Sequence, residues 1–256
     1  MLQVVGTENP EEATDAWYER DLPELALAAL RQKPHLGGFE AICVDEFQDI
    51  AGNPLLVEVV FALAGSGGPP HTTLVFAGDA RQQILRKTGS VVDPYSGARA
   101  LVPDLVHVGI RRNCRTVPSV ISEAQSLVGR GLGFTGHRVA RSVPGGLETM
   151  TVDAGGETTA LAAALRTLLE HHDPDDIVAL SPFGGTHSTV GSLFSRTEWR
   201  SIFKYNGLEA EAVVITDVGD AAREFVAQSG LDWDDLMYVG VTRGKYRVVL
   251  VETAAH

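Results

Sequence analysis

Residues 42–50 read Ile42-Cys43-Val44-Asp45-Glu46-Phe47-Gln48-Asp49-Ile50, an apolar run that ends in two adjacent carboxylates. The apolar part is short and contains β-branched residues, which is typical of a buried strand. Side chains at the carboxyl end of a parallel strand project over the edge of the sheet where ligands bind. Asp45 and Glu46 are therefore candidate ligands for Mg²⁺, and Glu46 is also a candidate for orienting or deprotonating an attacking water.

A second predicted strand ends in the same way. Residues 72–79 (TTLVFAGD) end in Asp79, and Gln82 follows three residues later. The alternative interpretation is that Asp45 and Glu46 cap the next helix, because acidic residues favour helix N-termini. Two strands that both end in an acid make this capping interpretation the weaker one.

Alternating strands and helices predict an α/β fold with parallel sheets covered on both faces. Helices are predicted over residues 13–33, 53–65, 115–128, 156–171 and 234–242. Strands are predicted over residues 39–47, 72–79, 103–110, 147–152, 176–182, 210–218 and 246–253. The Gly-rich stretch 129–146 is predicted to be a surface connection, and a boundary near residue 112 divides the chain into two α/β units.

Composition limits the classes of function. The 256 residues carry a formal net charge of −12, which argues against a generally basic nucleic-acid-binding surface. No run of 18 apolar residues occurs, so no membrane partner is expected. The two cysteines, Cys43 and Cys114, have no metal-type spacing and fit a reduced, cytoplasmic setting.

Five segments resemble, in the right order, motifs II to VI of the UvrD/Rep-like branch of superfamily 1 helicases. These segments are residues 44–49 (VDEFQD), 78–82 (GDARQ), 113–116 (NCRT), 203–209 (FKYNGLE) and 238–245 (YVGVTRGK). The resemblance implies a P-loop NTPase fold with RecA-like parallel sheets. An incomplete first RecA-like domain would occupy residues 1–112, and a complete, compact second domain would occupy residues 113–256.

The resemblance also implies ATP and Mg²⁺ as cofactors and assigns roles around them. In the first domain Asp45 would hold Mg²⁺, Glu46 would activate water, Gln82 would sense the γ-phosphate, and Asp79 would lie at the nucleotide. In the second domain Arg115 and Arg243 would reach the phosphates, with Arg243 as the arginine finger. Glu209 would contact the ribose, Gly207 would allow close approach of the backbone, and Tyr238 and Thr242 would support that site.

The chain departs from the family pattern at the phosphate cradle. No G-x-x-x-x-G-K-[ST] run occurs, and the single Gly-Lys pair, Gly244-Lys245, lies inside the last motif. A P-loop-bearing segment or partner chain is therefore expected, and this chain alone is expected not to hydrolyse ATP. It is interpreted as part of a longer helicase, a split subunit or a degenerate regulatory form. The base-stacking aromatic usual after motif III is also missing.

Two functions of different classes follow. The leading hypothesis is the C-terminal motor portion of an ATP-dependent UvrD-like DNA helicase or translocase that acts on single-stranded DNA. The alternative is a non-catalytic, helicase-like module that binds DNA, nucleotide or a partner in a repair or defence complex. The charge of −12 favours the module, whereas retention of Glu46, Gln82, Arg115 and Arg243 favours the enzyme. An NTPase acting on RNA is a third interpretation.

Overall fold

The computed structural model describes residues 17–65, 72–79, 82, 93, 95–127, 134–139, 145–184, 188 and 198–254. These residues form two compact units, unit 1 up to His107 and unit 2 from Val108 onward. The division lies close to the predicted boundary near residue 112. The assignment of each unit as a RecA-like domain stays a prediction.

Unit 1 is built on a pair of parallel strands with helices beside them. Its elements are a π-helical turn (Trp17–Asp21), α1 (Leu22–Gln32), a 3₁₀ turn (Pro34–Leu36), β1 (Ala41–Val44), α2 (Phe47–Ile50), α3 (Pro54–Gly65), β2 (Thr73–Phe76) and α4 (Ser96–Leu101). β1 and β2 run in parallel, with Val44 opposite Phe76 at their carboxyl ends. This arrangement is the one predicted from the two acid-terminated apolar runs.

Small apolar clusters stabilise unit 1. Leu27 of α1 packs with Val59 of α3 in one cluster, and Phe47, Val57 and Ala98 form the other. Phe47 is fully buried, and its ring centroid lies 4.4 Å from that of Phe76. The aromatic residue directly after Glu46 therefore anchors the carboxyl ends of both strands to the core of the unit.

Unit 2 contains a five-stranded parallel sheet, whose strands are, from one edge to the other, Gly146–Val152, Gly244–Thr253, Ala210–Val218, Ile177–Ser181 and Glu198–Ser201. Its elements are β3 (Arg112–Asn113), α5 (Pro118–Leu127), β4 (Gly136–His137), β5 (Gly146–Val152), α6 (Glu157–Leu169), a 3₁₀ turn (Pro174–Asp176), β6 (Ile177–Ser181), β7 (Glu198–Ser201), a 3₁₀ turn (Phe203–Tyr205), β8 (Ala210–Val218), α7 (Asp220–Gln228), α8 (Trp233–Thr242) and β9 (Gly244–Thr253). The parallel α/β architecture predicted from the sequence is confirmed.

Both faces of the five-stranded sheet are covered. Val213 and Ile215 of β8 belong to the cluster that includes residues of α5, α7 and α8, whereas Ala212 and Val214 belong to the cluster with α6. Side chains alternate between the two faces of a strand, so a strand buried on both sides reads as a continuous apolar run. The apolar run in β8 therefore has two separate sets of helical partners.

The structure corrects the strand predicted over residues 103–110. No described residue of this stretch lies in a strand, and Val106, Val108 and Ile110 are 81%, 78% and 86% exposed. The alternating apolar pattern is present, but a strand needs a neighbour for its backbone hydrogen bonds. Among the described residues none pairs with this stretch.

β7 was not predicted because its residues Glu198–Ser201 are largely polar. The Gly-rich stretch 129–146 is described only at residues 134–139 and 145–146, where β4 pairs with β3, and the rest of that prediction lies outside the described residues. None of the described helices combines the length and apolar character needed to cross a bilayer.

The central position of β8 leads to a test of the unit 2 core. Ile215 is fully buried, so Ile215→Ala is expected to lower the free energy of unfolding by about 2–5 kcal/mol. Val108→Ala, at a 78% exposed position, is the control and is expected to change it by less than about 0.5 kcal/mol. Urea unfolding followed by tryptophan fluorescence measures both, and equal effects would contradict the placement of β8.

Candidate functional site

Four of the predicted site residues, Asp45, Glu46, Asp79 and Gln82, lie beyond the carboxyl ends of β1 and β2. The backbone pairing continues past the strands, because Ala77 N–H donates to the Val44 carbonyl (2.9 Å) and Phe47 N–H donates to the Ala77 carbonyl (2.8 Å). This pairing brings the segment after β1 alongside the segment after β2. We call Asp45, Glu46, Gln48, Asp79 and Gln82 the acidic cluster.

The side chain of Gln48 joins the two acid-bearing segments. Its Nε2 donates to Glu46 Oε2 at 2.6 Å, and its Oε1 accepts from the Asp79 N–H at 3.1 Å. Gln48 is only 6% exposed, so its amide is held away from solvent. A Cβ at Gly78 would lie 2.3 Å from Gln48 Oε1, so glycine is needed there for this approach.

Gln82, predicted as a phosphate sensor, is tied to the second acid of the cluster. Its Nε2 donates to Asp79 Oδ2 at 3.2 Å, and its backbone N–H donates to the Asp79 carbonyl at 2.9 Å. The structure therefore brings Glu46, Asp79 and Gln82 together through hydrogen bonds within unit 1. Their roles toward a nucleotide stay predictions.

The backbone at Glu46 argues against the helix-capping alternative. Glu46 is the N-cap of α2, yet its side chain makes no capping hydrogen bond, and Asp45 Oδ1 accepts the N–H of Glu46 itself (2.9 Å). Glu46 also has left-handed dihedrals, with φ 49° and ψ 41°. A non-glycine residue in this conformation is strained, and such strain clusters at functional sites.

Two residues near the acidic cluster were given no role by the sequence. Tyr95 donates its hydroxyl to the Gly78 carbonyl (3.0 Å), and its ring stacks on Phe47 at 5.7 Å. Burial, reinforced by the charges of Asp79 and Glu46, raises the pKa of Tyr95. No sequence signal marked Tyr95, because it lies between the recognisable motifs and reaches the cluster only through the fold.

Asp49 is the second of these residues and the third carboxylate of the opening run. Burial first, and the neighbouring Glu46 second, raise the pKa of Asp49 to about 6. The short spacing between Glu46 and Asp49 was a sequence signal for the smaller, electrostatic cause only, whereas the burial of Asp49 is decided by the fold.

The remaining predicted residues lie in unit 2, where three separate segments meet. Arg115 Nη1 lies 3.6 Å from Glu209 Oε2, and Lys245 Nζ pairs with Glu209 Oε1. Arg115 Nη2 also donates to the Thr242 carbonyl at 3.2 Å. We call Arg115, Glu209 and Lys245 the basic cluster. Lys245 is an addition to the predicted site, since no role was predicted for it.

The predicted arginine finger is enclosed in unit 2 in this structure. Arg243 is 1% exposed, with Nε donating to the Val239 carbonyl (3.0 Å) and Nη1 donating to the Leu208 carbonyl (3.3 Å). These contacts join the end of α8 to the segment that precedes β8. The finger role of Arg243 stays a prediction, and it would require the guanidinium to leave these carbonyls.

The other predicted residues of unit 2 lie on the same two segments. Gly207 has φ +80°, the left-handed region that favours glycine, and nothing lies near its missing Cβ. Tyr238 and Thr242 are buried, and the Thr242 hydroxyl donates to the Tyr238 carbonyl inside α8 at 2.8 Å. They are placed to support the segment around Arg243.

A cavity of about 410 Å³ lies elsewhere in unit 2 and shares no residue with either cluster. It is lined by polar residues that include His171, His172, Asp176 and Glu211, and His172 Nδ1 lies 3.2 Å from Glu211 Oε2.

In the described parts of the chain no three His, Cys, Asp or Glu side chains converge as a metal site. Mg²⁺ is often held by only one or two protein carboxylates, so the absence of a three-residue group does not test Asp45 and Glu46 as Mg²⁺ ligands. Their metal-binding role stays a prediction.

Comparisons with known proteins identify no family. No protein-family profile matches the chain. No curated protein matches it either. Among solved structures, the chain is similar to the PRRSV helicase, with a TM-score of 0.45 and 13% identity over 84% of this chain. The similar part amounts to 36% of that helicase, so this chain spans about a third of its length.

The raised pKa of Asp49 leads to a pH-dependent prediction. Its folded pKa of about 6 exceeds its ordinary value of 3.8, so folding favours the protonated carboxyl. The stability that protonation contributes is present near pH 4 and is lost as the pH rises through 6. Asp49→Asn is therefore expected to raise the free energy of unfolding at pH 7 by about 1–3 kcal/mol, with the gain shrinking toward pH 4.

Denaturant unfolding at pH 4.5 and pH 7 measures this difference. Glu58→Gln is a matched control, because it removes a charge from a side chain that is 55% exposed. It is expected to change the free energy of unfolding at pH 7 by less than about 0.5 kcal/mol. A pH-independent effect of Asp49→Asn would contradict the shifted pKa.

The burial of Arg243 predicts a structural cost that an exposed arginine would not have. Arg243→Met leaves the carbonyls of the buried Val239 and of Leu208 without this donor and is expected to lower the free energy of unfolding by about 2–4 kcal/mol. Arg115→Met, whose side chain is 41% exposed, is expected to cost less than about 1 kcal/mol. Amide hydrogen exchange in β8 and β9 reports on unit 2, and similar small effects of both variants would contradict the enclosed position of Arg243.

Proposed function

We propose that this chain is the C-terminal motor portion of an ATP-dependent, UvrD-like DNA helicase or translocase. The observation that carries the proposal is the hydrogen-bonded cluster at the carboxyl ends of β1 and β2, with Glu46 in a strained backbone and Gln48 bridging it to Asp79. In the proposed enzyme ATP binds between two RecA-like domains, single-stranded DNA is the substrate track, and the setting is cytoplasmic.

The acidic cluster fits the proposed chemistry. Asp45 is an exposed carboxylate at a strand end, and together with Glu46 it would supply the hard oxygen donors that Mg²⁺ prefers. Mg²⁺, when bound, would neutralise charge on the phosphates. Glu46 would accept the proton of the attacking water, with its carboxylate oriented by Gln48. Gln82, tethered to Asp79, would hydrogen-bond to the terminal phosphate.

The proposal includes a P-loop supplied by polypeptide outside these 256 residues. The exposed alternating side chains of Val106, Val108 and Ile110 support it, since they are typical of a strand that lacks its neighbour. A phosphate cradle normally follows a strand of the same sheet. One additional strand and loop would therefore supply both the missing neighbour and the missing cradle.

The second candidate function is a non-catalytic, helicase-like module that binds DNA or a protein partner in a repair or defence complex. Two observations favour it: Arg243 is engaged inside unit 2, and Arg115 is paired with Glu209. Both arginines would have to change partners before they could act on a phosphate. This candidate keeps the fold and the nucleotide-site residues without turnover.

The experiment that separates these functions joins the chain to the coding region upstream of it and measures ATP hydrolysis stimulated by single-stranded DNA. We expect hydrolysis only with the upstream segment, and a loss of at least about 100-fold in Glu46→Gln, because general-base catalysis contributes 10²–10⁴-fold. Glu58→Gln is the matched control and is expected to retain full activity.

Two results would each overturn one part of this proposal, the first the external P-loop and the second the motor. The first is hydrolysis by the 256-residue chain alone that disappears in Glu46→Gln, which would place a complete site within this chain. The second is an extended protein that binds DNA or a partner but has no Glu46-dependent hydrolysis, which would favour the non-catalytic module.

A further inference from the structure

We propose that Glu209 is an internal counter-ion that occupies a phosphate site formed by Arg115 and Lys245, and that an incoming polyphosphate displaces it. The inference rests on the proposed function, because it concerns how unit 2 receives the phosphates of a nucleotide. It differs from the ribose contact that the family resemblance implies for Glu209, and it adds Lys245 as a phosphate-binding residue.

The geometry resembles that of a bound anion. The two carboxylate oxygens of Glu209 take different cations, Oε2 facing Arg115 and Oε1 facing Lys245. Carboxylate and phosphate oxygens attract the same guanidinium and ammonium groups. Two positive charges face one negative charge here, so the cluster retains an excess cation that a phosphate group of charge −2 would balance.

The two cations are held in place by the surrounding backbone. Arg115 follows the buried Asn113, whose Oδ1 accepts the N–H groups of Arg115 and Thr116, each at 3.1 Å. Lys245 is the second residue of β9, and its carbonyl accepts the Val117 N–H at 2.8 Å. The segments that carry the two cations are therefore joined by a backbone hydrogen bond, and the Arg115 guanidinium also donates to the Thr242 carbonyl, so these links between the two segments do not involve Glu209.

Glu209 can be displaced at small cost. The side chains of Arg115, Glu209 and Lys245 are 41%, 38% and 31% exposed, so the ion pairs face solvent. Exposed ion pairs contribute little net stability, since water competes for both charges. A polyphosphate that forks onto Arg115 and also reaches Lys245 would replace a single carboxylate with several oxygens.

Inorganic tripolyphosphate is the sharpest probe, because it has no ribose. If Glu209 serves as a counter-ion, Glu209→Gln frees both cations and tightens tripolyphosphate binding, by about threefold to fivefold for an exposed pair. If Glu209 only contacts a ribose, the same change leaves tripolyphosphate binding unaltered and weakens ATP binding. Isothermal titration calorimetry on the purified 256-residue chain at low salt measures both ligands.

Matched controls separate the local site from the overall charge. Glu148→Gln removes the same charge from another exposed pair of unit 2, with Arg247 at 3.1 Å, and is expected to leave tripolyphosphate affinity within twofold of the unsubstituted chain. Adding Lys245→Gln or Arg115→Gln to Glu209→Gln is expected to abolish the gain. Equal tightening by Glu148→Gln, or none by Glu209→Gln, would overturn the inference.

Further variants keep the test decisive. Lys245→Gln alone is expected to weaken tripolyphosphate binding at least threefold, which decides the question independently should Glu209→Gln not fold, and unchanged affinity would overturn the role of Lys245. Failure of this inference also differs from failure of the motor proposal. Tighter tripolyphosphate binding by Glu209→Gln, without ATP hydrolysis by the extended protein, would support the anion site and contradict the motor. ATP hydrolysis by the extended protein, without tighter tripolyphosphate binding by Glu209→Gln, would support the motor and contradict the anion site.

Discussion

Parallel pairing of β1 with β2 is the constraint on which the acidic cluster depends. Parallel strands end at the same edge of a sheet, so Glu46 and Asp79 come together although 32 residues separate them in the chain. The buried amide of Gln48 then converts this neighbourhood into a defined arrangement by bonding to both segments. Phe47, fully buried beneath them, anchors the turn, and the left-handed backbone at Glu46 is the conformational cost of this geometry.

The two arginines of unit 2 that were predicted to reach phosphates, Arg115 and Arg243, lie in different environments. The buried Arg243 side chain donates to carbonyls of two segments, which is a structural contribution whatever its role toward a nucleotide. Arg115 lies at the surface, held from its backbone side by Asn113 and facing Glu209. A buried guanidinium is costly to move, whereas an exposed ion pair exchanges partners readily. The exposed Arg115–Glu209 pair is therefore better able to respond to an anion than the enclosed Arg243.

Sequence patterns predicted elements well where the apolar pattern of a segment matches the packing that the fold provides for it. The predicted bounds of β8 and β9, with apolar runs that alternate between two helical layers, and of α5 and α6 lie within three residues of the observed ones. Residues 103–110 have an equally convincing strand pattern and form no strand, since pairing requires a neighbour that periodicity cannot supply. β7 is the converse, because its polar sequence gives no signal and pairing with β6 alone makes it a strand.

In the candidate site, too, some features follow from local sequence and others only from the tertiary structure. The residue types and spacing of Asp45, Glu46, Asp79 and Gln82 were enough to predict two acid-terminated strands of one parallel sheet, because that inference needs only local pattern and the geometry of parallel strands. Only the tertiary structure decided that Gln48 bridges them, that Tyr95 reaches Gly78, that Arg243 is enclosed and that Lys245 shares Glu209 with Arg115. Burial and side-chain contacts depend on segments far apart in the chain, and no local pattern contains that information.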